Sequence, residues 1–298
     1  MAPSPARLLA SLLLGCALLW GACAPRHDTV AAPVPQEKRY PLTGTILEVR
    51  KNDHTLLVAH DEIVGFMPAM TMEFKVSPAE LEAARENQRI RATLVEPEQG
   101  DLRLEEVWPA EKVTDDSLAA AARRLRDDTA SRGRAAYREI GETLPAFTLL
   151  NQRGELVPAG RFKGKVVMLN FIYTRCPFPD MCPLSTTKMK RTQALAAEAG
   201  VRNLELVSIS LDPEHDTPGV LAEYVRNNAI DASNFTLLTG PREAVADLLT
   251  QFGILAKLDG GIVRHTLATL LIDPEGRILH RADGNAWEPA DFVARMPR

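Results

Sequence analysis

The chain has 298 residues, room for more than one core, and its 45% hydrophobic and 25% charged content is that of ordinary globular protein. A net charge of −4 without a strongly basic stripe argues against nucleic acid as a partner, and beyond the N-terminus no apolar run is long enough to span a bilayer. Four cysteines are too few for a disulfide scaffold, so those outside the N-terminal segment read as a site.

Arg7, the apolar stretch 8–20 and Gly21-Ala22-Cys23 have the form of an export signal over residues 1–22. The small-small-Cys ending suggests a bacterial lipoprotein signal, with Cys23 lipidated and the chain held to the membrane on the periplasmic side. Simple cleavage is the alternative, and Leu13-Leu14-Gly15-Cys16 is a competing match. Residues 23–39, with Pro25, Pro33 and Pro35, read as a tether, and His27 as a solvated tail residue.

From residue 40 the pattern changes to short β-prone runs at 42–49, 55–60, 70–76, 89–95 and 102–108, separated by turn residues such as Asn52-Asp53 and Gln99-Gly100-Asp101. Five short strands over 40–110, with a helical turn near Ser77-Pro78, predict a small antiparallel β-barrel, OB-like. Met70 and Met72 lie two apart and so share one strand face, with His60 upstream. Thioethers and an imidazole suit Cu(I) or Ag(I), while methionines that merely fill a core are the alternative. The string Met67-Pro68-Ala69-Met70-Thr71-Met72-Glu73-Phe74 resembles the signature Trp-Pro-x-Met-Thr-Met-x-Phe of CusF-like periplasmic copper-binding domains. That resemblance implies His60, Met70 and Met72 as copper ligands. Met67 stands where the family has tryptophan, as a fourth sulfur ligand or a lid, and the loop from His60 is one residue shorter.

Residues 111–140, rich in Ala, Arg, Asp and Glu, read as a solvated helical linker whose Tyr137 and Ile140 dock on the second domain. That domain, 141–298, alternates strands and helices: a fully buried strand at 166–172, a helix at 184–199, a strand at 204–211, and a helix capped by Thr217 and running to 227. A short strand at 235–238, a helix at 242–252, a hairpin of 265–272 with 277–281 and a closing helix at 289–296 complete an α/β, thioredoxin-like order. Cys176 and Cys182 sit at the junction of the buried strand and its helix. Cys182 at or near the N-cap is expected to have a lowered thiol pKa from the helix dipole.

Gly164 to Pro177, Cys182-Pro183, Ser210-Leu211-Asp212-Pro213 with Asp216-Thr217-Pro218, and His265 before Leu271-Ile272-Asp273-Pro274-Glu275-Gly276 together resemble the Sco/SenC copper-delivery proteins. The resemblance implies copper ligation by Cys176, Cys182 and His265, a copper-receiving cuproenzyme as partner, the copper centre of a cytochrome oxidase foremost, and a thiol reductant. Five residues separate the cysteines here where the family has three. Two thiolates and an imidazole hold Cu(I) and also accept Cu(II), and the empty pair can close as a disulfide. Asp212 reads either as an orienting group behind the site or as a helix-entry turn residue. A thiol–disulfide oxidoreductase is the rival function, with Cys176 and Cys182 as its redox pair.

Overall fold

The computed structural model describes residues 37–133, 137–259 and 262–297. The export signal, Cys23 and all but the end of the tether lie outside the described residues, as does Arg298. Among the described residues no helix is long and apolar enough to cross a membrane.

Five strands, β1 (Lys38–Arg50), β2 (Thr55–His60), β3 (Met70–Val76), β4 (Arg89–Glu96) and β5 (Arg103–Pro109), close into a barrel in the order β1-β2-β3-β5-β4. Alternate residues point inward, so Leu42 and Ile46 of β1, Leu56 and Val58 of β2, Phe74 and Val76 of β3, and Ile90 and Leu94 of β4 fill the core. The expected all-antiparallel barrel needs one correction, since β3 pairs with β5 in parallel, Val76 opposite Leu104. An odd number of strands in a closed ring cannot alternate direction throughout, so one neighbouring pair must run the same way. Helix α1 (Pro78–Ala83), capped by the Ser77 side chain on the Glu80 amide, fills the crossover between β3 and β4.

Helix α2 (Lys112–Arg132) departs from the solvated linker that its composition predicts. It buries Leu118, Ala121 and Leu125, spaced three to four residues apart on one face. Leu118 packs with Trp108 of the barrel and Leu150 of the next domain, and Leu125 joins the larger core of that domain. Tyr137 lies against Gly253 of the second domain with about half of its surface exposed, and Ile140 is exposed. Between them Arg138 is buried and donates to the Gln251 side chain at 2.7 Å, the Asp128 carboxylate at 2.6 Å and the Thr143 carbonyl at 2.8 Å.

The second domain is built on a seven-stranded sheet. Its strands are β6 (Thr148–Asn151), β7 (Leu156–Pro158), β8 (Val166–Ile172), β9 (Leu204–Ser210), β10 (Phe235–Thr239), β13 (Ala268–Ile272) and β14 (Ile278–Asp283), in the order β14-β13-β8-β9-β10-β6-β7. Strands β8, β9 and β10 run parallel at its centre, and every residue of β8 and β9 is buried, the pattern of strands covered on both faces. Helices α3 (Cys182–Glu198) and α6 (Pro289–Arg295) pack together, as do α2 and α5 (Arg242–Gln251); α4 (Pro218–Asn227) lies against α1 of the barrel.

The hairpin expected at 265–272 is interrupted. Residues 262–265 form β12 (Ile262–His265), which pairs with β11 (Ala256–Asp259) in a separate two-stranded ribbon, and the sheet strand resumes only at Ala268. Thr266 carries the ribbon one pair further by bonding Leu255 twice: its amide donates to the Leu255 carbonyl at 2.9 Å, and its hydroxyl, in place of its carbonyl, accepts from the Leu255 amide at 3.0 Å. Truncating Leu125, 1% exposed, should cost roughly 2–5 kcal/mol, whereas Arg123→Ala on the outer face of α2 should stay within about 0.5 kcal/mol; denaturant unfolding of the two variants measures both.

Candidate metal centres

The barrel centre grows out of strand parity. Leu56, Val58 and His60 form the inward set of β2, and in the β2–β3 register they lie opposite Phe74, Met72 and Met70. The core stripe thus ends, at the barrel mouth, in an imidazole facing a thioether. Gly44 of β1 pairs with His60 on its other side. A Cβ at Gly44 would lie 2.9 Å from the His60 Cα and 2.7 Å from Val58, so the strand can approach this closely only without a side chain. His60 is 3% exposed and Met70 47% exposed, while Met67 and Met72 are half-buried against the barrel core. Met67 closes a tight turn by exchanging backbone hydrogen bonds with Ile63 at 2.9 and 3.1 Å.

His60 has one ring nitrogen engaged and one left open. Nδ1 lies 2.7 Å from the Asp61 carbonyl, which can only accept, so Nδ1 carries the proton. Nε2 is buried without a hydrogen-bond partner. A buried imidazole lone pair with no donor is costly unless something electron-poor fills the gap; the Phe74 ring packs edge-on against this imidazole with centroids 5.8 Å apart, and Met70 is its cross-strand partner on β3.

In the second domain the buried strand β8 delivers Tyr173-Thr174-Arg175-Cys176 to the C-terminal edge of the parallel strands, where ligand sites form in open α/β sheets. The five residues after Cys176 fold back as successive turns: the Met181 amide donates to the Phe178 carbonyl at 3.1 Å and the Leu184 amide to the Pro179 carbonyl at 3.1 Å. The additional length is thereby taken up as turns, which return the chain to α3 with Cys182 as its first residue. Both thiols are free, Cys176 partly exposed and Cys182 buried.

The break at Thr266 brings His265 to them. Its Nδ1–H donates to the Thr266 carbonyl at 3.0 Å, and Nε2 stands 3.5 Å from the Cys182 sulfur. Burial lowers the imidazole pKa below its ordinary value, partly offset by the Thr266 carbonyl, so the ring favours the neutral form a metal ligand needs. The Tyr173 ring packs edge-on against His265 with centroids 5.7 Å apart. Among the described residues no three His, Cys, Asp or Glu side chains come together in a group that could hold a metal ion, so the full set of Cys176, Cys182 and His265 is not assembled. Cys182 and His265 are in contact, and Cys176 borders Cys182 from the rim of the loop.

The expected depression of the Cys182 pKa is overturned. Its thiol is pushed well up, by burial first and then by the adjacent Cys176 and the buried Asp216, with only the Tyr173 backbone opposing. A helix N-terminus acts on a thiol with solvent access; here desolvation of a fully enclosed sulfur outweighs it. Asp212 engages the arginine ahead of the loop, accepting from Arg175 Nε at 2.7 Å, so it acts next to Cys176 through that guanidinium. Asp216, which belongs to the family-like string Asp216-Thr217-Pro218 but is assigned no role by it, is the carboxylate beneath the loop. Fully buried, it accepts from the Ser210 hydroxyl at 2.6 Å, the Thr174 hydroxyl at 2.5 Å and the Thr174 amide at 3.2 Å. Its sequence signal is its place in Asp216-Thr217-Pro218, one of the strings that carry the family resemblance, where Thr217 and Pro218 read as a helix entry.

Residues 135–298 match the SCO1/SenC family and residues 39–109 match the copper binding periplasmic protein CusF. The chain therefore belongs to the SCO1/SenC family. An SCO2-like protein of Rickettsia typhi is 31% identical over 164 residues, covering 52% of this chain and 76% of that protein. An SCO1 homologue of Bacillus subtilis is 30% identical over 151 residues, 49% of this chain and 77% of the relative. Among solved structures, an SCO1/SenC family lipoprotein of Bacillus anthracis superposes with a TM-score of 0.49 at 29% identity, over 53% of this chain and 96% of that one.

A neutral alkylating reagent near pH 8 should modify Cys176 at least about tenfold faster than Cys182. Peptide mass spectrometry of the reduced protein reads the two rates, and equal rates would contradict the buried assignment of Cys182.

Proposed function

We propose that this chain is an exported copper chaperone, held on the periplasmic side through a lipid on Cys23, that captures Cu(I) in the barrel and delivers copper from the thioredoxin-like domain to a cuproenzyme. His60, Met70 and Met72 are the capture ligands, with Met67 as a further sulfur at the mouth; Cys176, Cys182 and His265 are the delivery ligands. The recipient implied by the family resemblance is the copper centre of a cytochrome oxidase. The observation that carries this reading is the same arrangement at both histidines. In each, Nδ1–H is tied to the carbonyl of the following residue; Nε2 of His265 then stands 3.5 Å from the Cys182 sulfur, and Nε2 of His60 is buried without a hydrogen-bond partner on a residue that pairs across the strands with Met70. Fixing one ring nitrogen fixes the tautomer and presents the other lone pair to a soft metal.

Thiolates bind Cu(I) more tightly than thioethers, so ligand exchange runs downhill from the methionine set to the cysteine set. Loading the cysteine site displaces thiol protons, and the raised pKa of Cys182 makes that displacement harder as pH falls. Reduced, anaerobic full-length protein should take Cu(I) at both sites. Met70→Ala with Met72→Ala should remove the weaker binding alone, and Cys176→Ser with Cys182→Ser the tighter. Affinity at the cysteine site should drop between pH 8 and pH 6 with proton release visible in unbuffered titration. Copper uptake unchanged in both double variants would contradict the assignment.

A second reading, thiol–disulfide exchange, draws on the two free neighbouring thiols. Cys176 would be the attacking group, being the more accessible. Turnover of a disulfide substrate at ordinary enzyme rates, lost in Cys176→Ser, would favour it over copper delivery.

A further inference from the structure

The barrel and the thioredoxin-like domain meet at a contact made for close backbone approach. Gly219, in the first turn of α4, faces α1 so tightly that a Cβ there would lie 2.5 Å from the Ala79 carbonyl oxygen and 2.9 Å from the Glu80 Cα. Those neighbours are backbone atoms, so no side chain can swing aside to relieve a larger residue. Beside this contact sits Glu80, a carboxyl on α1 that is 6% exposed and, among the described residues, has no cationic partner. It accepts the Val107 amide at 3.3 Å and meets the Thr217 hydroxyl at 3.3 and 3.4 Å. Thr217 in turn caps α4, its hydroxyl accepting the Val220 amide at 3.2 Å.

Thr217 directly follows Asp216, whose carboxylate holds the amide and hydroxyl of Thr174, two residues before Cys176. A continuous set of contacts therefore runs from the barrel helix to the cysteine loop. We propose that Glu80 and Gly219 latch the barrel onto the thioredoxin-like domain, and that this latch sets the conformation of the cysteine loop through Thr217, Asp216 and Thr174. Glu80 is on this view a positioning residue. The proposal concerns the metal-free chain and holds whether the loop serves copper or thiol exchange.

The charged groups around Glu80 give the latch a direction with pH. From β5 it is faced by Glu105 and Glu106; on the α4 side Asp216 lies one residue from Thr217, and Arg226 is engaged with Glu82 and Glu223 at the exposed flank. Burial, helped by Glu106 and Glu105, pushes the Glu80 carboxyl up to about 7, against the hydrogen bonds from Val107 and Thr217. Its pKa is raised in the docked state, so docking is favoured by protonation. The latch is tightest well below pH 7 and loosens as pH rises through about 7.

Amide hydrogen exchange on the full chain, followed by mass spectrometry and corrected for intrinsic rates, tests the latch. Gly219→Val should raise exchange by about tenfold or more in 78–83 and 218–227, and also in 173–181, since a buried interface and its hydrogen bonds are lost together. From about pH 5.5 to about pH 8.5 the wild type should lose protection in the same three segments. Glu80→Gln keeps both hydrogen bonds and should keep protection while abolishing its pH response. Should Gly219→Val loosen the helices yet leave 173–181 at the wild-type rate, the coupling is wrong. Should Glu80→Gln keep the wild-type pH response, Glu80 is not the latch, and this arm decides the matter even if Gly219→Val fails to fold.

Discussion

The candidate centre of the second domain depends on the pairing of Thr266 with Leu255. Two hydrogen bonds between these residues carry the β11–β12 ribbon one pair beyond His265, so that residues 262–266 belong to the ribbon and the sheet strand β13 begins only at Ala268. The His265 ring ties Nδ1 to the Thr266 carbonyl and turns Nε2 to the Cys182 sulfur. One backbone irregularity thus brings together donors separated by 83 positions in the chain.

Beneath those donors the protein places carboxylates that serve the loop rather than the metal. Asp216 and Asp212 both approach residues just ahead of Cys176, one taking the Thr174 amide and hydroxyl, the other the Arg175 guanidinium. Burial raises the pKa of Asp216, but three donors from Ser210 and Thr174 oppose it, so the group is hydrogen-bonded rather than stranded. Such a bed holds a short turn-rich loop in one shape while leaving its sulfurs free. The same logic appears in the barrel on a smaller scale, where Asp61 supplies a carbonyl to His60 and its side chain engages Thr43 and Arg89.

Much of this is legible in the chain. Period-two alternation locates β2 and β3 to the residue, and the apolar run of Val166–Ile172, interrupted only by Asn170, fits a strand with both faces covered. Parity alone implies that Met70 and Met72 share a face, and it is the resemblance to CusF-like domains that singles out His60, Met70 and Met72 as a set. Effects that depend on distant partners cannot be read in this way. The burial of Leu118 and Leu125 in an Ala- and Arg-rich helix, the enclosure that raises the Cys182 pKa, and the Thr266 break all arise from contacts across the fold. Glu80, lying in an ordinary capped turn after Ser77, gives no sign in the sequence that it is buried against a residue 137 positions away.

Sulfur and imidazole donors from separated parts of the chain, converging on copper in two distinct environments, are the core of the proposed function. X-ray absorption at the copper edge, on reduced full-length protein loaded anaerobically with Cu(I), tests it directly. The account predicts one shell of thiolate sulfur with an imidazole nitrogen, and a second of longer thioether sulfur with imidazole, the latter vanishing when Met70 and Met72 are replaced. A shell of oxygen and nitrogen only, or one unaltered by replacing Cys176 and Cys182, would contradict it.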